Sequence, residues 1–317
     1  MEGHIVVREL VEYSAVIPTK DRPDAAADTV RHLLAQTTLP RRIIVVDAST
    51  TPLALPDDVI GRAEAVGVEV ELVPSRPSVH AQRNLGARRV DTPVVLFLDD
   101  DVTVPADYAE ALLAEWSSRG LGNLGGIQGT PAEIPRQRAL GRLVRRVAML
   151  SYVDVSADAM RIRRSGKVRF APLPDSAVEV PVLASGATAY RTDLVLRNLF
   201  DERFTGYTPG GDLEMSFRVA SEAPLVQTPR VRWTHLWHPR ERVSPRRWYV
   251  RGRCETYFRL RRLDRSALTL AAFGVSLAAD GLVAVRDSVR ERNAAHFGGF
   301  ARGAFETIRM RPPAAGT

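Results

Sequence analysis

The run VVLFLDDDV, Val94 to Val102, decides how the chain is read. Five apolar residues, two of them β-branched, end abruptly in three consecutive carboxylates. Such a run is too short for a core helix and fits a strand buried on both faces. Its carboxyl end is the rim at which open α/β sheets bind ligands. Three adjacent carboxylates repel one another unless a cation lies among them, and in an extended segment Asp99 and Asp101 point to one side and Asp100 to the other. Asp99 and Asp101 can therefore approach one Mg2+ or Mn2+ together and leave coordination positions for phosphate oxygens. A turn, or a cap for a helix starting near Pro105, would need only one of the three.

Working outward, similar short apolar runs bounded by turn residues occur at 13–18, 43–46 and 68–73. Helical spacing separates them: Val30, Leu33 and Leu34 share one face, and 79–90 reads as a third crossover helix. Tyr108, Leu112 and Trp116 repeat every four residues between Pro105 and Gly120, which marks a further helix. Strand and helix in alternation predict a parallel sheet covered on both faces. From 120 to 180 the periodicity weakens, and the expectation is loops, an edge strand or two and a basic helix around 140–150. Strand-like 178–183, helix-like 213–220 and strand-like 230–234 resume the pattern.

The tail 266–285 is rich in alanine, leucine and valine but contains Asp280. A bilayer span needs about 20 apolar residues. The stretch only just reaches that length with a carboxylate inside it, so a packed or amphipathic helix is the stronger reading.

With 317 residues, 45% of them hydrophobic and 26% charged, the chain suffices for one large domain and an appendage. A net charge of +7 calls for anionic partners. Arginine concentrates at 136–146, 161–169 and 240–262. No zinc-finger spacing or aromatic-plus-basic signature accompanies it, so nucleic acid ranks below a phosphorylated or membrane-associated substrate. The lone Cys254 cannot form an internal disulfide, and MEGHIVVREL lacks the pattern of a cleaved secretory signal. The expected location is the cytosol, with the inner face of a membrane open to a basic tail. Gly120, Gly122 and Gly125 spell GxGxxG, but they follow a helix instead of a strand, which defeats a dinucleotide site.

The ordered set AVIPTKDRP (15–23), IIVVDAST (43–50), HAQRNLGARR (80–89), VVLFLDDDV, ASGATAYR (184–191), FDERFTGYTPGGDLEMSFR (200–218) and PRVRWTHLWHP (229–239) resembles family 2 glycosyltransferases of the GT-A fold. The resemblance implies a Rossmann-like, mostly parallel sheet flanked by helices. It assigns 1–262 to the transferase domain, with a nucleotide-binding half at 1–102 and an acceptor half at 103–262, and leaves 263–317 as a helical extension. It also implies an inverting, metal-assisted transfer from a nucleoside-diphosphate sugar to an acceptor hydroxyl, the acceptor being lipid-linked if the tail meets a membrane.

By that resemblance Pro18, Thr19 and Asp47 line the nucleoside pocket, and Arg83 approaches base or phosphates. Asp99 and Asp101 hold the metal and diphosphate, Asp100 adjoins the donor, and His235 reaches the metal. Asp47 can accept the imide N–H of uracil or thymine, which favours UDP or dTDP, while guanine offers N–H donors too. Asp212 is the candidate general base. Relatives usually carry Glu-Asp where this chain has Gly211-Asp212. Capping of local turns is the plainer role for Asp47 and Asp212, and a surface position for Arg83. His238, Gly186, Trp233 and Trp237 are further candidates beside the acceptor, or ordinary packing. Two rival functions are a nucleotidyltransferase, disfavoured because VIPTKDRP lacks a glycine-rich triphosphate loop, and a non-catalytic scaffold at a membrane, which Gly211 alone favours.

Overall fold

The computed structural model describes residues 11–134, 137–155, 157, 160–204, 210–236, 244–262, 264 and 266–310. Its first part alternates as β1 (Tyr13–Thr19), α1 (Pro23–Leu34), β2 (Arg42–Asp47), α2 (Asp57–Val66), β3 (Glu69–Pro74), α3 (Val79–Ala87) and β4 (Val94–Leu98). A short β5 (Val102–Thr103) and α4 (Tyr108–Arg119) follow. Strand β1 pairs in parallel with β2 on one side and β4 on the other, and β2 pairs with β3. Successive side chains enter opposite cores. Ile43, Val45, Leu96 and Leu98 pack with Leu33 and Trp116, whereas Val16, Ile44, Val46 and Phe97 pack with Leu194 and Met215. Burial on both faces is why these strands read as unbroken apolar runs.

Beyond α4 come β6 (Gly126–Pro131), α5 (Ala139–Val147), a small sheet of β7 (Tyr152–Val153), β8 (Arg161–Ile162) and β9 (Val168–Phe170), then β10 (Val178–Val180) and β11 (Ala187–Arg191). Helices α6 (Thr192–Arg197) and α7 (Gly211–Ala220) precede the long β12 (Leu225–His235). The large sheet runs β10-β12-β6-β11-β4-β1-β2-β3, with β5 added against β12.

The expectation for 120–180 needs correction here, because β6 lies in the interior of the sheet between β12 and β11. Its glycines hid it. A Cβ at Gly126 would stand 2.6 Å from the Tyr190 ring, and one at Gly129 would stand 2.6 Å from the Val231 carbonyl oxygen. The close packing that makes β6 central thus removes the β-branched side chains by which a strand is recognised. Gly120, left-handed at φ 85°, ends α4, so the GxGxxG run is a helix stop followed by a strand.

Helices α8 (Pro245–Arg262), α9 (Ala267–Arg290) and α10 (Ala295–Arg309) complete the chain. Helix α10 lies backbone to backbone on α8, where a Cβ at Gly299 would stand 2.5 Å from the Pro245 carbonyl oxygen. By length and composition α9 could cross a bilayer. Near its middle, however, Asp280 is fully buried, 2.9 Å from Lys167 Nζ, 3.0 Å from Arg259 Nη2 and 3.3 Å from Arg251 Nη2. Glu255 of α8 accepts from the same three cations. Helix α9 is thereby tied to the body of the protein. Several arginines of α8 turn inward, Arg253 also lying 4.8 Å over the Phe204 ring.

Candidate functional site

The order of the sheet reverses between β1 and β4, and such a switch point opens a crevice at the carboxyl ends of the strands. Thr19 and Asp47 are register partners at the ends of β1 and β2. Pro18, buried in β1, pairs with Val46. The Asp47 carboxylate accepts from Ser49 N at 2.9 Å and Leu53 N at 2.8 Å, so it organises the loop after β2. That is the capping role weighed above, and it leaves each oxygen a second lone pair.

Thr19 Oγ1 donates to Asp100 Oδ2 at 2.7 Å, which turns Asp100 back toward β1. Burial raises the Asp100 pKa, while Thr19 and Arg22 oppose the rise. Arg22 donates to Asp100 Oδ1 at 3.0 Å and to Asp101 Oδ2 at 3.3 Å. Neither Arg22 nor Gln82 stood out in the sequence. Gln82 of α3 donates to the carbonyls of Thr19 and Val46 at 2.7 and 2.8 Å and seals the ends of β1 and β2. A lone glutamine on a helix carries no readable signal, whereas Arg22 lies in the quoted AVIPTKDRP.

Arg83 is buried, which corrects the reading of it as a surface residue. Its Nη2 donates to Asp99 Oδ1 at 2.5 Å, and its guanidinium lies 5.4 Å over the Phe200 ring. Burial alone would lower its pKa, but the fields of Asp99 and Asp212 raise it. Those two carboxylates are linked through consecutive residues of one turn. Asp99 N donates to the Gly186 carbonyl at 2.8 Å, and Ser185 N donates to Asp212 Oδ2 at 2.5 Å. Gly186 has φ +126°, and a Cβ on it would stand 2.9 Å from the Trp233 indole, so only glycine fits this turn. Trp233 itself is buried core, its Nε1 donating to the Gly129 carbonyl at 3.1 Å.

Pairing of β5 with β12 sets His235 opposite Val102, and Leu236 N donates to the Asp101 carbonyl at 2.7 Å. As a result His235 Nε2 stands 3.5 Å from Asp101 Oδ1. Adjacent ligands on one octahedral cation stand roughly 3 Å apart when bond lengths are about 2.1 Å. The pair fits such an ion, with a carboxylate and an imidazole suiting Mn2+ at least as well as Mg2+. Asp99 faces Arg83, and among the described residues no three such side chains converge on one point. A cation here would complete its shell with oxygens from outside the protein, from water or a phosphate group. His238 and Trp237 lie outside the described residues.

Asp212 is the second residue of α7, whose N-cap is Gly210, so it is not itself the cap. Glu214 meets Arg218 as its four-residue spacing predicts, at 2.9 Å, but the pair is largely buried instead of lying on the surface. At Gly211 a Cβ would overlap the His80 ring at Nε2 and Cε1. His80 therefore occupies the space that a side chain at 211 would take. It is buried, its Nδ1 lies 2.7 Å from the Asp201 carbonyl oxygen, and burial lowers its pKa. Its Nε2 has no hydrogen-bond partner among the described residues and adjoins a cavity of about 10 Å3, room for a single water.

The two positions should therefore behave as one unit. Gly211→Ala alone is expected to cost ~1–3 kcal/mol by overpacking. His80→Ala should relieve most of that cost, a coupling of ~1–2 kcal/mol read from urea unfolding of the four proteins in the cycle. Additive effects would show that the ring and the glycine do not compete for the space.

The sheet order and the rim it opens are those of a GT-A type α/β fold. Residues 14–165, just under half of the chain, match the model described as glycosyl transferase family 2. Many solved structures share the fold. S. aureus TarS 1-349 in complex with UDP-GlcNAc is 13% identical at a TM-score of 0.58, covering 95% of this chain and 82% of that one. The mannosyltransferase PcManGT from Pyrobaculum calidifontis, in complex with GDP-Man and Mn2+, is 13% identical at a TM-score of 0.53, with coverages of 95% and 88%. GalNAc-T7 with UDP, GalNAc and Mn2+ is 15% identical at 0.56, and the chain spans 44% of its length while 73% of this chain is covered. Likewise the chain spans 42% of another TarS structure. No curated protein matches the chain in sequence.

Proposed function

We propose that the protein transfers a sugar from a nucleoside-diphosphate donor to an acceptor hydroxyl with inversion at the anomeric carbon. The observation that carries this reading is the turn at Ser185 and Gly186, which ties the donor-side Asp99 to Asp212 within one rim. Inversion needs two such poles, electrophilic help for the leaving diphosphate and a base for the attacking hydroxyl. Asp47, Pro18 and Thr19 border the nucleoside, and Arg83 and Arg22 place positive charge beside the diphosphate. Asp101 and His235 hold a divalent cation, Mn2+ or Mg2+, with Asp99 next to them and Asp100 braced by Thr19. When bound, that ion neutralises charge on the departing nucleotide. Asp212 takes the acceptor proton. The transferase unit is assigned to 1–262 and the extension to 263–317, a division supported by α9 being tied back through Asp280. UDP and dTDP suit an Asp47 acceptor, and the neighbours' UDP-GlcNAc and GDP-Man keep both base classes in the test.

Titration calorimetry with UDP and with GDP checks the donor side. Tight binding is expected only with Mn2+ or Mg2+ present, and Asp101→Ala or Asp99→Ala should weaken it at least tenfold, since each removes hard-oxygen charge from the cation site. Equal affinity in EDTA would remove the metal from the proposal. Equal affinity in both alanine variants would move it away from these aspartates.

A further inference from the structure

Helix α5 has no partner for its apolar face. Not one of its nine residues is buried, although they include four large aliphatic side chains. Leu140, Leu143, Val144 and Val147, spaced i, i+3, i+4 and i+7, are 73, 57, 56 and 70% exposed. That spacing sets them on one stripe of the helix. Arg142, Arg145 and Arg146 occupy three of the other five positions, beside Ala139 and Gly141, with Arg138 at the N-cap, and no acidic residue occurs between Glu133 and Asp154.

The helix is nonetheless held in place. Arg163 of the β8–β9 hairpin donates to the carbonyls of Arg145, Arg146 and Leu150 at 3.2, 2.6 and 3.0 Å, and Ser165 Oγ donates to the Met149 carbonyl at 2.8 Å. A cation at those carbonyls caps the carboxyl end of the helix and adds to the basic cluster. The same hairpin sets Arg164 within the field of Asp264, just ahead of α9, whose first turn exposes Leu268 at 58% and Leu270 at 49%.

We propose that α5 docks the protein on an anionic lipid bilayer, lying in the plane of the interface with its aliphatic stripe among the acyl chains and its arginines at the headgroups. Charge selects the partner: four arginines, Arg138, Arg142, Arg145 and Arg146, with no interspersed carboxylate fit a surface of phosphodiester headgroups. Shape agrees, because a convex helix with a narrow aliphatic stripe and basic flanks is the form that inserts into an interface. The proposal is independent of the chemistry at Asp99 and Asp212, so donor binding and docking can fail separately.

Sedimentation with vesicles of phosphatidylcholine alone, or with a third phosphatidylglycerol, tests it. Wild-type protein should pellet with the anionic vesicles in low salt and be released in high salt. Leu143→Glu with Val147→Glu should abolish pelleting, and Arg142→Gln with Arg146→Gln should weaken it about thirtyfold, roughly fivefold per arginine. Both variants should keep the wild-type melting temperature, since none of the altered side chains is buried. No pelleting of wild type in low salt overturns the proposal. So does undiminished pelleting of both α5 variants, as does loss confined to a Leu282→Glu, Val289→Glu control on α9. A lipid-free, concentration-dependent dimer that Leu143→Glu abolishes would assign the stripe to a second copy of the chain and equally overturn it.

Discussion

Replacing Asp212 by Asn is expected to lower turnover by about a hundredfold or more, the usual contribution of a positioned general base. Donor and metal affinity should stay near wild type. The substitution is clean because the asparagine carbonyl oxygen can still accept from Ser185 N, which donates to the carboxylate at 2.5 Å. The turn that also receives Asp99 N is therefore preserved, and only basicity is lost. Glu214 is a poor alternative: both of its oxygens accept from Arg218, at 2.9 to 3.2 Å, in a largely buried pair. Single-turnover rates at saturating donor, together with calorimetric affinities, check the assignment. Near-normal turnover in Asp212→Asn, or a collapse confined to a folded Glu214→Gln protein, would place the base elsewhere.

Strands β4, β1 and β2 were legible as strands because a strand buried on both faces has few polar positions to blur it, and DDD marks the exit of β4 to the rim. Most of the second half was less so. Strand β6 is disguised by the glycines that let Tyr190 and Val231 approach it. Helix α2 buries only Val59 and Ala63 and so shows little periodicity.

Among site residues, those on the rim by sequence position, Thr19, Asp47 and Asp99 to Asp101, could be read directly. Arg83 could not be separated from a surface arginine, since burial of a charge depends on partners brought from Asp99 and Phe200. The exchange of a side chain at 211 for the ring of His80 joins residues 131 positions apart, and no local pattern encodes it.

The tail shows the same limit in its energetics, and Asp280→Ala is the expected result with the largest effect on stability. By hydropathy Asp280 is a flaw in an apolar helix, whereas in the fold it receives Lys167, Arg251 and Arg259. Removing one partner of a buried ion cluster leaves uncompensated charge and costs ~3–5 kcal/mol. Glu255 remains as the sole carboxylate for three cations, so the variant should melt about 10 °C lower, at roughly 2–4 °C per kcal/mol for a chain of this size. Burial holds the Lys167 pKa down to about 8, with Asp280 opposing that fall. Without Asp280 it falls further, so between that lower value and 8 the variant's unfolded state binds more protons than its folded state. Its stability then rises with pH while that of the wild type does not yet respond. The penalty should accordingly be larger at pH 6 than at pH 8, measured by urea unfolding at both. A change under 1 kcal/mol at both values would mean that α9 is not held by these ions.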